Sequence, residues 1–167
     1  MLFRPAKIED VAAVMTIIGE AQLSLRKLNI DQWQNGYPAE ADIINDIEKR
    51  CGYVMEDTNK IISYCAVFFN FEPTYEKIFE GKWLSCSRFV VAHRIAVKET
   101  EKRKGNAAKL LSEIIYFSKN QKITSFKIDT HPENIPMQNL LKKIGFSYCG
   151  IIFLKNGDKR LAFEKLL

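Results

Sequence analysis

The sequence predicts a mixed α/β fold of seven strands and four helices. Segments with helical spacing of apolar residues alternate with segments typical of strands, which indicates packed layers of both kinds. The stretch from residue 88 to 129 reads as strand, helix, strand and therefore predicts a βαβ crossover. The run 61–69 is almost continuously apolar, as in a strand buried on both faces. With 167 residues and no Gly/Ser/Pro-rich linker, we expect a single domain over residues 1–167.

The composition is that of an ordinary globular protein. Apolar residues make up 47% of the chain and charged residues 27%, which excludes disordered, collagen-like and low-complexity classes. Lys and Arg total 25 against 20 Asp and Glu, a net charge of +5. That excess favours an anionic partner such as nucleic acid, an acidic surface or a phosphorylated small molecule, although an ordinary basic surface also explains it.

The first half of the chain carries three predicted strands and two helices. Residues 2–4 form a first strand that Pro5 closes, and Glu9 and Asp10 suit the positive end of the helix that follows. That helix extends from about 11 to 28, a loop covers 30–38, a second helix covers 39–50, and strands at 52–56 and 61–71 are joined by a turn at 57–60.

The second half begins with an insertion at 72–84, charged and aromatic, without a clear period. The remaining predicted elements are a strand at 88–97, a helix at 105–118, a strand at 123–129, a helix at 136–143 and strands at 146–154 and 160–166. Gly145 stands where a helix end needs a left-handed residue, and Asn-Gly-Asp at 156–158 is a hairpin turn signal.

The N-terminus lacks the basic and apolar regions of a secretory signal, and no apolar stretch reaches the length of a membrane span. The cysteines at 51, 65, 86 and 149 form no C-x-x-C pair, so we interpret them as small buried apolar residues of a reducing compartment. We expect a cytoplasmic protein with no metal site and no membrane partner.

The segment from His93 to Leu111 is the most informative part of the sequence. It reads as a strand, a short basic loop, Gly105 and a helix. The start of a helix presents backbone N–H groups without internal partners and a partial positive charge, which together form an anion site suited to phosphate. Lys102, Arg103 and Lys104 add charge there, and the missing Cβ of Gly105 lets a ligand approach the backbone. The P-loop and dinucleotide fingerprints are both absent.

This loop resembles the coenzyme A loop of the GNAT N-acetyltransferase superfamily, Arg/Gln-x-x-Gly-x-Gly/Ala after a strand that ends in valine. Here the residues are 102–107 after Val97, with Lys102 in place of Arg or Gln. Residues 134–146 are similar to a second family signature, N-x-x-A-x-x-L-Y-x-K-x-G-F, and residues 2–10 resemble the usual opening strand and acidic helix start. The order of elements also matches across nearly the whole chain.

The resemblance implies a mostly antiparallel sheet that is splayed between its fourth and fifth strands, where the pantetheine arm of coenzyme A lies. It also implies transfer of an acetyl group from acetyl-CoA directly to a primary amine. The backbone of 95–97 would bind the arm, an N–H near Val97 would polarise the thioester carbonyl, and the N–H groups of 103–108 would bind the pyrophosphate. The implied coenzyme-binding residues are Ile95, Ala96, Val97, Lys102, Arg103, Lys104, Gly105, Asn106, Ala107, Ala108, Asn134, Met137 and Leu141.

The proton-transfer residues are less clear. The family often supplies the acid from a tyrosine on the fourth helix, but this sequence has Leu141 at that position. Tyr148 is a substitute on the next strand, or simply a sheet residue. Strand alternation places His93 on the face of Ile95 and Val97, where a base would suit neutral pH, unless it is a structural histidine. His131 follows the fifth strand and could orient a substrate or cap the loop.

The acceptor pocket is expected at the loop between the first two helices. Trp33 and Tyr37 could form an aromatic wall that binds an amine through cation–π contacts, or they could pack the loop onto the core. The expected partner is therefore a small-molecule or peptide amine, and a homodimer is compatible with the sequence.

Two alternatives to an enzyme remain open. A non-catalytic sensor that binds acyl-CoA would explain Leu141 in place of the tyrosine. A basic nucleic-acid-binding module would need a continuous basic face with interleaved aromatics, whereas much of the distinctive charge here lies in one short loop. We therefore expect no nucleic-acid partner.

Overall fold

The computed structural model describes residues 1–167 and has the predicted seven strands and four helices. The strands are β1 (Leu2–Pro5), β2 (Gly52–Asp57), β3 (Lys60–Phe69), β4 (Phe89–Val97), β5 (Ser125–Thr130), β6 (Ser147–Phe153) and β7 (Lys159–Leu166). The helices are α1 (Val11–Lys27), α2 (Glu40–Glu48), α3 (Asn106–Asn120) and α4 (Ile135–Lys143). Short 3-10 helices lie at Ile8–Asp10, Pro73–Tyr75 and Glu99–Glu101. None of the helices has the length and apolar character needed to cross a bilayer.

The strands form one sheet in the order β1-β2-β3-β4-β5-β7-β6. The sheet is mostly antiparallel, and β4 and β5 run parallel because α3 connects them as a crossover. The ladder between β4 and β5 consists of three residue pairs and ends at Val91 and Lys127, although both strands continue. The predicted fold class is confirmed, and the splay between β4 and β5 stays a prediction.

Two compact units divide the chain, and the sheet passes through both. The first unit comprises Met1–Val67 and Ala92–Ile114, and the second comprises Phe68–Val91 and Ile115–Leu167. The single-domain organisation expected from the sequence stays a prediction.

The core of the first unit forms where α1 and α2 pack on β2, β3 and β4. Helix α1 buries the residues that its periodicity predicts, because positions three and four apart lie on one face. The buried members of this core are Ala6, Val11, Val14, Ile17, Ile18, Ala21, Ile43, Val54, Tyr64 and Ala96. Strand β3 is buried continuously from Ile62 to Val67, as the apolar run predicts.

Arg4 connects β1 to the start of α1. Its Nη1 and Nη2 donate to both carboxylate oxygens of Asp10, at 2.7 and 3.0 Å, and its Nε donates to Glu56 at 2.8 Å. Asp10 also accepts the N–H of Lys7 at 2.8 Å. The hydrogen bond from Arg4 lowers the pKa of Asp10, so the acidic helix start that the sequence indicates is fixed by a bidentate ion pair.

In the second unit, the insertion packs on buried polar residues of β5 and β7. The hydroxyl of Tyr75 donates to Asp129 at 2.7 Å. Glu164 has no exposed surface and accepts hydrogen bonds from Ser85 and Ser125, at 2.8 and 2.6 Å, and from a backbone N–H of the insertion. A segment without periodicity therefore supplies the donors that buried charges require.

Lys127 lies under the same insertion. Its Nζ is 4.6 Å from the ring centre of Trp83 and 4.5 Å from that of Phe89. Burial lowers the pKa of this amine, and the two aromatic faces attract its charge. Both faces of β5 are consequently buried, including the side of Ser125 and Lys127 that alternation separates from Phe126 and Ile128.

The prediction for the cysteines is correct at three positions and wrong at one. Cys51, Cys65 and Cys149 are buried, whereas Cys86 is exposed because it lies in the irregular segment before β4. The two turn predictions are confirmed: Gly145 follows α4 with φ +87°, and Gly157 has φ +88° between β6 and β7.

We expect Asp10→Asn to lower the free energy of unfolding by roughly 1–3 kcal/mol at neutral pH. The folded-state pKa of Asp10 is below its ordinary 3.8, so its stabilisation is complete above that value and is lost as pH falls through the folded pKa. Urea unfolding at several pH values should show the variant and the wild type converging in acid. A stability difference that does not change with pH would contradict the ion-pair account.

Gly81→Ala tests how closely the insertion packs on edge strand β6. A Cβ at Gly81 would lie 2.0 Å from the carbonyl oxygen of Cys149, and Phe79 pairs with Ile151 beside it. We expect a loss of roughly 1–3 kcal/mol from the forced backbone shift, measured by urea unfolding. Gly19→Ala is the control, because a Cβ there meets nothing within 4 Å and should stabilise α1 by about 0.5–1 kcal/mol. Equal effects at the two positions would contradict the close packing.

Candidate functional site

The turn between β4 and α3 has the backbone conformation of an anion-binding loop. After the 3-10 helix at Glu99–Glu101, Arg103 has φ +62° and Gly105 has φ +81°, and α3 begins at Asn106. Left-handed residues in a tight turn can direct neighbouring backbone N–H groups toward one side, and such turns are common at anion-binding sites. A Cβ on Gly105 would meet no atom within 4 Å, so the loop is open there.

The N–H groups of residues 103–108 have no acceptor within the protein. The first helical bond of α3 is from Lys109 N to Gly105 O at 3.0 Å, which leaves the preceding amides without carbonyl partners. These amides are at the positive end of a helix of 15 residues. The loop therefore offers unsatisfied donors in an electropositive position, which suits a diphosphate.

The three cations of the loop are not equivalent. Lys102 Nζ lies 2.6 Å from Glu99 Oε2 and 2.7 Å from Ser24 Oγ, and Lys104 Nζ lies 3.1 Å from Glu101 Oε1. Arg103 is exposed and makes no ion pair. The sequence leads us to expect three charges beside the amides, but two of them are held by neighbouring acids, so Arg103 is the cation available to a ligand.

Helix α1 and Asn106 hold the loop in place. Glu20 accepts the N–H of Glu99 at 2.7 Å, and Ser24 donates to the Glu99 carboxylate at 2.8 Å. The side chain of Asn106, which is buried, donates to the Glu101 carbonyl at 3.0 Å. These contacts keep the amides in place before any ligand arrives.

Arg94 has a backbone conformation that strand alternation does not anticipate. Its φ is +53°, which a residue with a Cβ rarely adopts, although it lies within β4. The alternation that places His93 with Ile95 and Val97 requires a regular strand. Because the backbone at Arg94 is not regular, alternation does not establish that His93 lies on their face. His93 itself is half-buried.

The side chain of Arg94 forms an ion pair with Asp46 of α2, in the same unit. Its Nε donates to Asp46 Oδ2 at 2.7 Å, and its Nη2 donates to the other carboxylate oxygen. Its Nη1 donates to the Tyr37 hydroxyl at 2.6 Å. Asp46 is 1% exposed and also accepts the Tyr64 hydroxyl at 2.7 Å.

No sequence pattern predicted this cluster. Its one signal is that Asp46 follows Ile43 by three residues and so lies on the inward face of α2, where a carboxylate needs partners. Burial raises the pKa of the neighbouring Cys51 thiol to about 11, so this cysteine is not an activated nucleophile.

The predicted acceptor residues differ in exposure. Trp33 packs against the core of the first unit, as the packing alternative proposes. Tyr37 is 42% exposed, and Gln22 holds its carbonyl at 3.2 Å while Arg94 holds its hydroxyl. Tyr37 is therefore the residue of this pair that can reach a ligand.

The predicted residues of the second unit have definite local roles. His131 Nδ1 accepts the N–H of Glu133 at 3.2 Å, which leaves the ring proton on Nε2 and agrees with a loop-capping role. Asn134 caps α4 by accepting the N–H of Met137 at 3.2 Å. Leu141 has no exposed surface, so its contact with a coenzyme stays a prediction.

Tyr148 is 49% exposed, and its ring packs edge-on against Phe163 at 5.7 Å. Partial burial raises the pKa of its hydroxyl, so the phenol keeps its proton at neutral pH. No group of three or more His, Cys, Asp or Glu side chains is arranged to hold a metal ion.

Comparison with known proteins places this geometry in a family. The sequence matches the family model "Acetyltransferase (GNAT) family" over residues 23–146, a span that includes the loop before α3 and the whole second signature. The chain therefore belongs to the GNAT acetyltransferase family.

Solved structures agree. A GNAT-family acetyltransferase from Streptococcus agalactiae 2603 is 34% identical, with a TM-score of 0.91 over 99% of this chain and 95% of that one. Two others show the same fold: a GNAT-family acetyltransferase from Listeria monocytogenes 4b F2365 (16% identity, TM-score 0.77, 99% and 94% covered) and a ribosomal-protein-alanine N-acetyltransferase from Brucella melitensis (21%, 0.70, 100% of both chains). A search of curated proteins finds no match.

Arg103→Gln should weaken coenzyme A binding more than Lys104→Gln. Arg103 has no acidic partner, whereas Lys104 is already paired with Glu101. Loss of one available cation beside a phosphate should raise the dissociation constant about five- to tenfold, and loss of the paired lysine about twofold or less. Calorimetric titration with coenzyme A measures both. Equal losses would contradict the assignment of Arg103 as the available cation.

Proposed function

We propose that this chain transfers an acetyl group from acetyl-CoA to a primary amine. The observation that supports the proposal is the loop before α3, where the amides of 103–108 have no protein acceptor and Gly105 leaves the backbone open. A buried structural turn would have satisfied these donors, so the loop fits a bound anion.

The residues present fit coenzyme A. The amides of 103–108 and the Arg103 guanidinium would hold its pyrophosphate, and the backbone of Ile95 to Val97 in β4 would bind its pantetheine arm. Acetyl-CoA supplies an acyl group activated as a thioester. An N–H near Val97 would then polarise the thioester carbonyl as negative charge develops on its oxygen. The contacts of Asn134, Met137 and Leu141 with the coenzyme belong to the same proposal.

The reaction needs a neutral amine and a proton for the departing thiolate. A free alkylamine has a pKa of roughly 10.4, so a base or a water chain must take its proton at neutral pH. We assign this role to His93. Tyr148 is the proposed acid, because its half-exposed hydroxyl carries a proton at neutral pH that a leaving thiolate can reach. His131 is better suited to orient a substrate, because its Nδ1 is already an acceptor.

The acceptor is proposed to be a small-molecule or peptide amine that contacts Tyr37. The exposed ring of Tyr37 can bind an ammonium group, while Trp33 supports the loop from the core side. A cytoplasmic location, where acetyl-CoA is made and used, remains part of the proposal.

Gly105→Ala tests the loop. A Cβ is strained at φ +81° and would point into the open side of the loop, so we expect coenzyme A affinity to fall about tenfold or more. Gly157→Ala is the matched control, because Gly157 has φ +88° and an equally open surrounding in the hairpin between β6 and β7. The control should lose similar stability and keep its coenzyme affinity. Calorimetry that shows unchanged affinity for Gly105→Ala would contradict the proposal.

A non-catalytic acyl-CoA sensor is the second candidate, because a buried leucine replaces the tyrosine that often supplies the acid in this family. Release of free thiol from acetyl-CoA over a panel of amines separates the two. Tyr148→Phe should reduce this release about 100-fold if the phenol is the acid. Tight coenzyme binding without thiol release for any amine would favour the sensor.

A further inference from the structure

Arg94 is the one residue of β4 with a left-handed backbone. The other residues with positive φ in this unit lie at turns or helix ends, whereas Arg94 lies inside a strand, immediately before Ile95. A bulky residue adopts this conformation only when its surroundings hold it there, and such residues cluster at functional sites. The cause of this conformation is therefore to be found in the contacts of the Arg94 side chain.

The carboxylate of Asp46 provides those contacts. Arg94 is bound to it through two nitrogens, and the side chains are 11% and 1% exposed. A bidentate guanidinium–carboxylate pair fixes both distance and plane, and a buried pair cannot exchange its partners for water. Asp46 itself is held by Tyr64 of β3. The pair thus fixes the backbone of β4 immediately before residues 95–97.

The third nitrogen of Arg94 reaches toward the surface. Nη1 donates to the Tyr37 hydroxyl at 2.6 Å, and the guanidinium lies 6.0 Å from the centre of the Tyr37 ring. The hydroxyl accepts this bond and donates to no oxygen of the protein, so its own proton is available to a ligand. The buried ion pair therefore fixes both the backbone of β4 at Arg94 and the exposed hydroxyl of Tyr37.

The ion pair between Arg4 and Asp10 shows what a purely structural pair looks like in the same unit. It is also bidentate, at 2.7 and 3.0 Å, and also partly buried. Arg4, however, has an ordinary strand backbone and bonds only to other acids and to a neighbouring carbonyl. The additional features of the Asp46–Arg94 pair are the strained strand and the exposed hydroxyl.

We infer that Asp46 and Arg94 are positioning residues for the acceptor amine, which they locate through the Tyr37 hydroxyl and the left-handed backbone of β4 at Arg94. The inference rests on the proposed acetyl transfer, because it concerns the step in which the amine meets the thioester. It predicts that the pair controls turnover and acceptor binding, and that it leaves the coenzyme loop at 102–108 unaffected.

The test compares Asp46→Asn, Arg94→Lys and Tyr37→Phe with the control Asp10→Asn. For each protein, calorimetry gives the dissociation constant of coenzyme A, thiol release gives kcat and the acceptor KM, and thermal unfolding gives the midpoint. We expect Asp46→Asn and Arg94→Lys to lower kcat about tenfold or more with a clearly smaller loss of coenzyme A affinity, because residues 95–97 would shift while the loop at 102–108 stays intact. Tyr37→Phe should raise the acceptor KM about five- to tenfold with little change in kcat.

The control should lower only the unfolding midpoint. If Asp46→Asn does not fold, Tyr37→Phe still decides, because it removes one exposed oxygen and leaves the ion pair intact. Variants that change only stability, as the control does, would overturn the inference, as would an equal loss of coenzyme affinity. A wild type that binds coenzyme A but releases no thiol with any amine would contradict the proposed function instead, and the inference would fall with it.

Discussion

A buried carboxylate that must find donors organises each of the two units. Asp46 is almost fully enclosed in the first unit, and an unpaired charge in that position would cost more than most single interactions contribute. Its donors come from Arg94 of β4 and Tyr64 of β3, so α2 is fixed against the sheet by polar contacts as well as by apolar packing. In the second unit, Glu164 has the same role: Leu84 of the insertion, Ser85 directly after it and Ser125 of β5 all donate to it.

In the loop before α3, by contrast, several backbone donors have no acceptor within the protein. The acids of the loop are paired with Lys102, Lys104 and residues of α1, yet the amides of 103–108 and the Arg103 side chain lack protein partners. A fold that satisfies its buried polar groups leaves donors open only where solvent or a ligand can satisfy them. The contrast between the paired side chains and the open amides is the observation on which the proposed anion site rests.

Membership of the GNAT family accounts for the crossover between β4 and β5 and for the loop before α3. It does not identify the residues that transfer protons in this chain. Leu141 lies in the interior at the position where the family often has a tyrosine, so the acid must come from elsewhere. Tyr148 and Tyr37 are the exposed phenols with raised pKa values, one in each unit. The Tyr148 ring packs against Phe163, whereas the Tyr37 hydroxyl accepts a hydrogen bond from the Arg94 guanidinium. The two hydroxyls are therefore suited to different tasks.

Local pattern was sufficient for the elements and for the glycine-led turn before α3. The periodicity of α1, the apolar run of β3 and the signals at Gly105, Gly145 and Gly157 depend on neighbours within a few residues, so the sequence contains them directly. Only the tertiary structure decided which charged side chains of the loop are paired with an acid and which are not. The contact of Lys102 with Ser24, the left-handed backbone at Arg94 and the bond of Arg94 to Asp46, 48 residues away, depend on contacts between distant segments. No period or spacing encodes such contacts, because burial and partner geometry exist only once the helices have packed on the sheet.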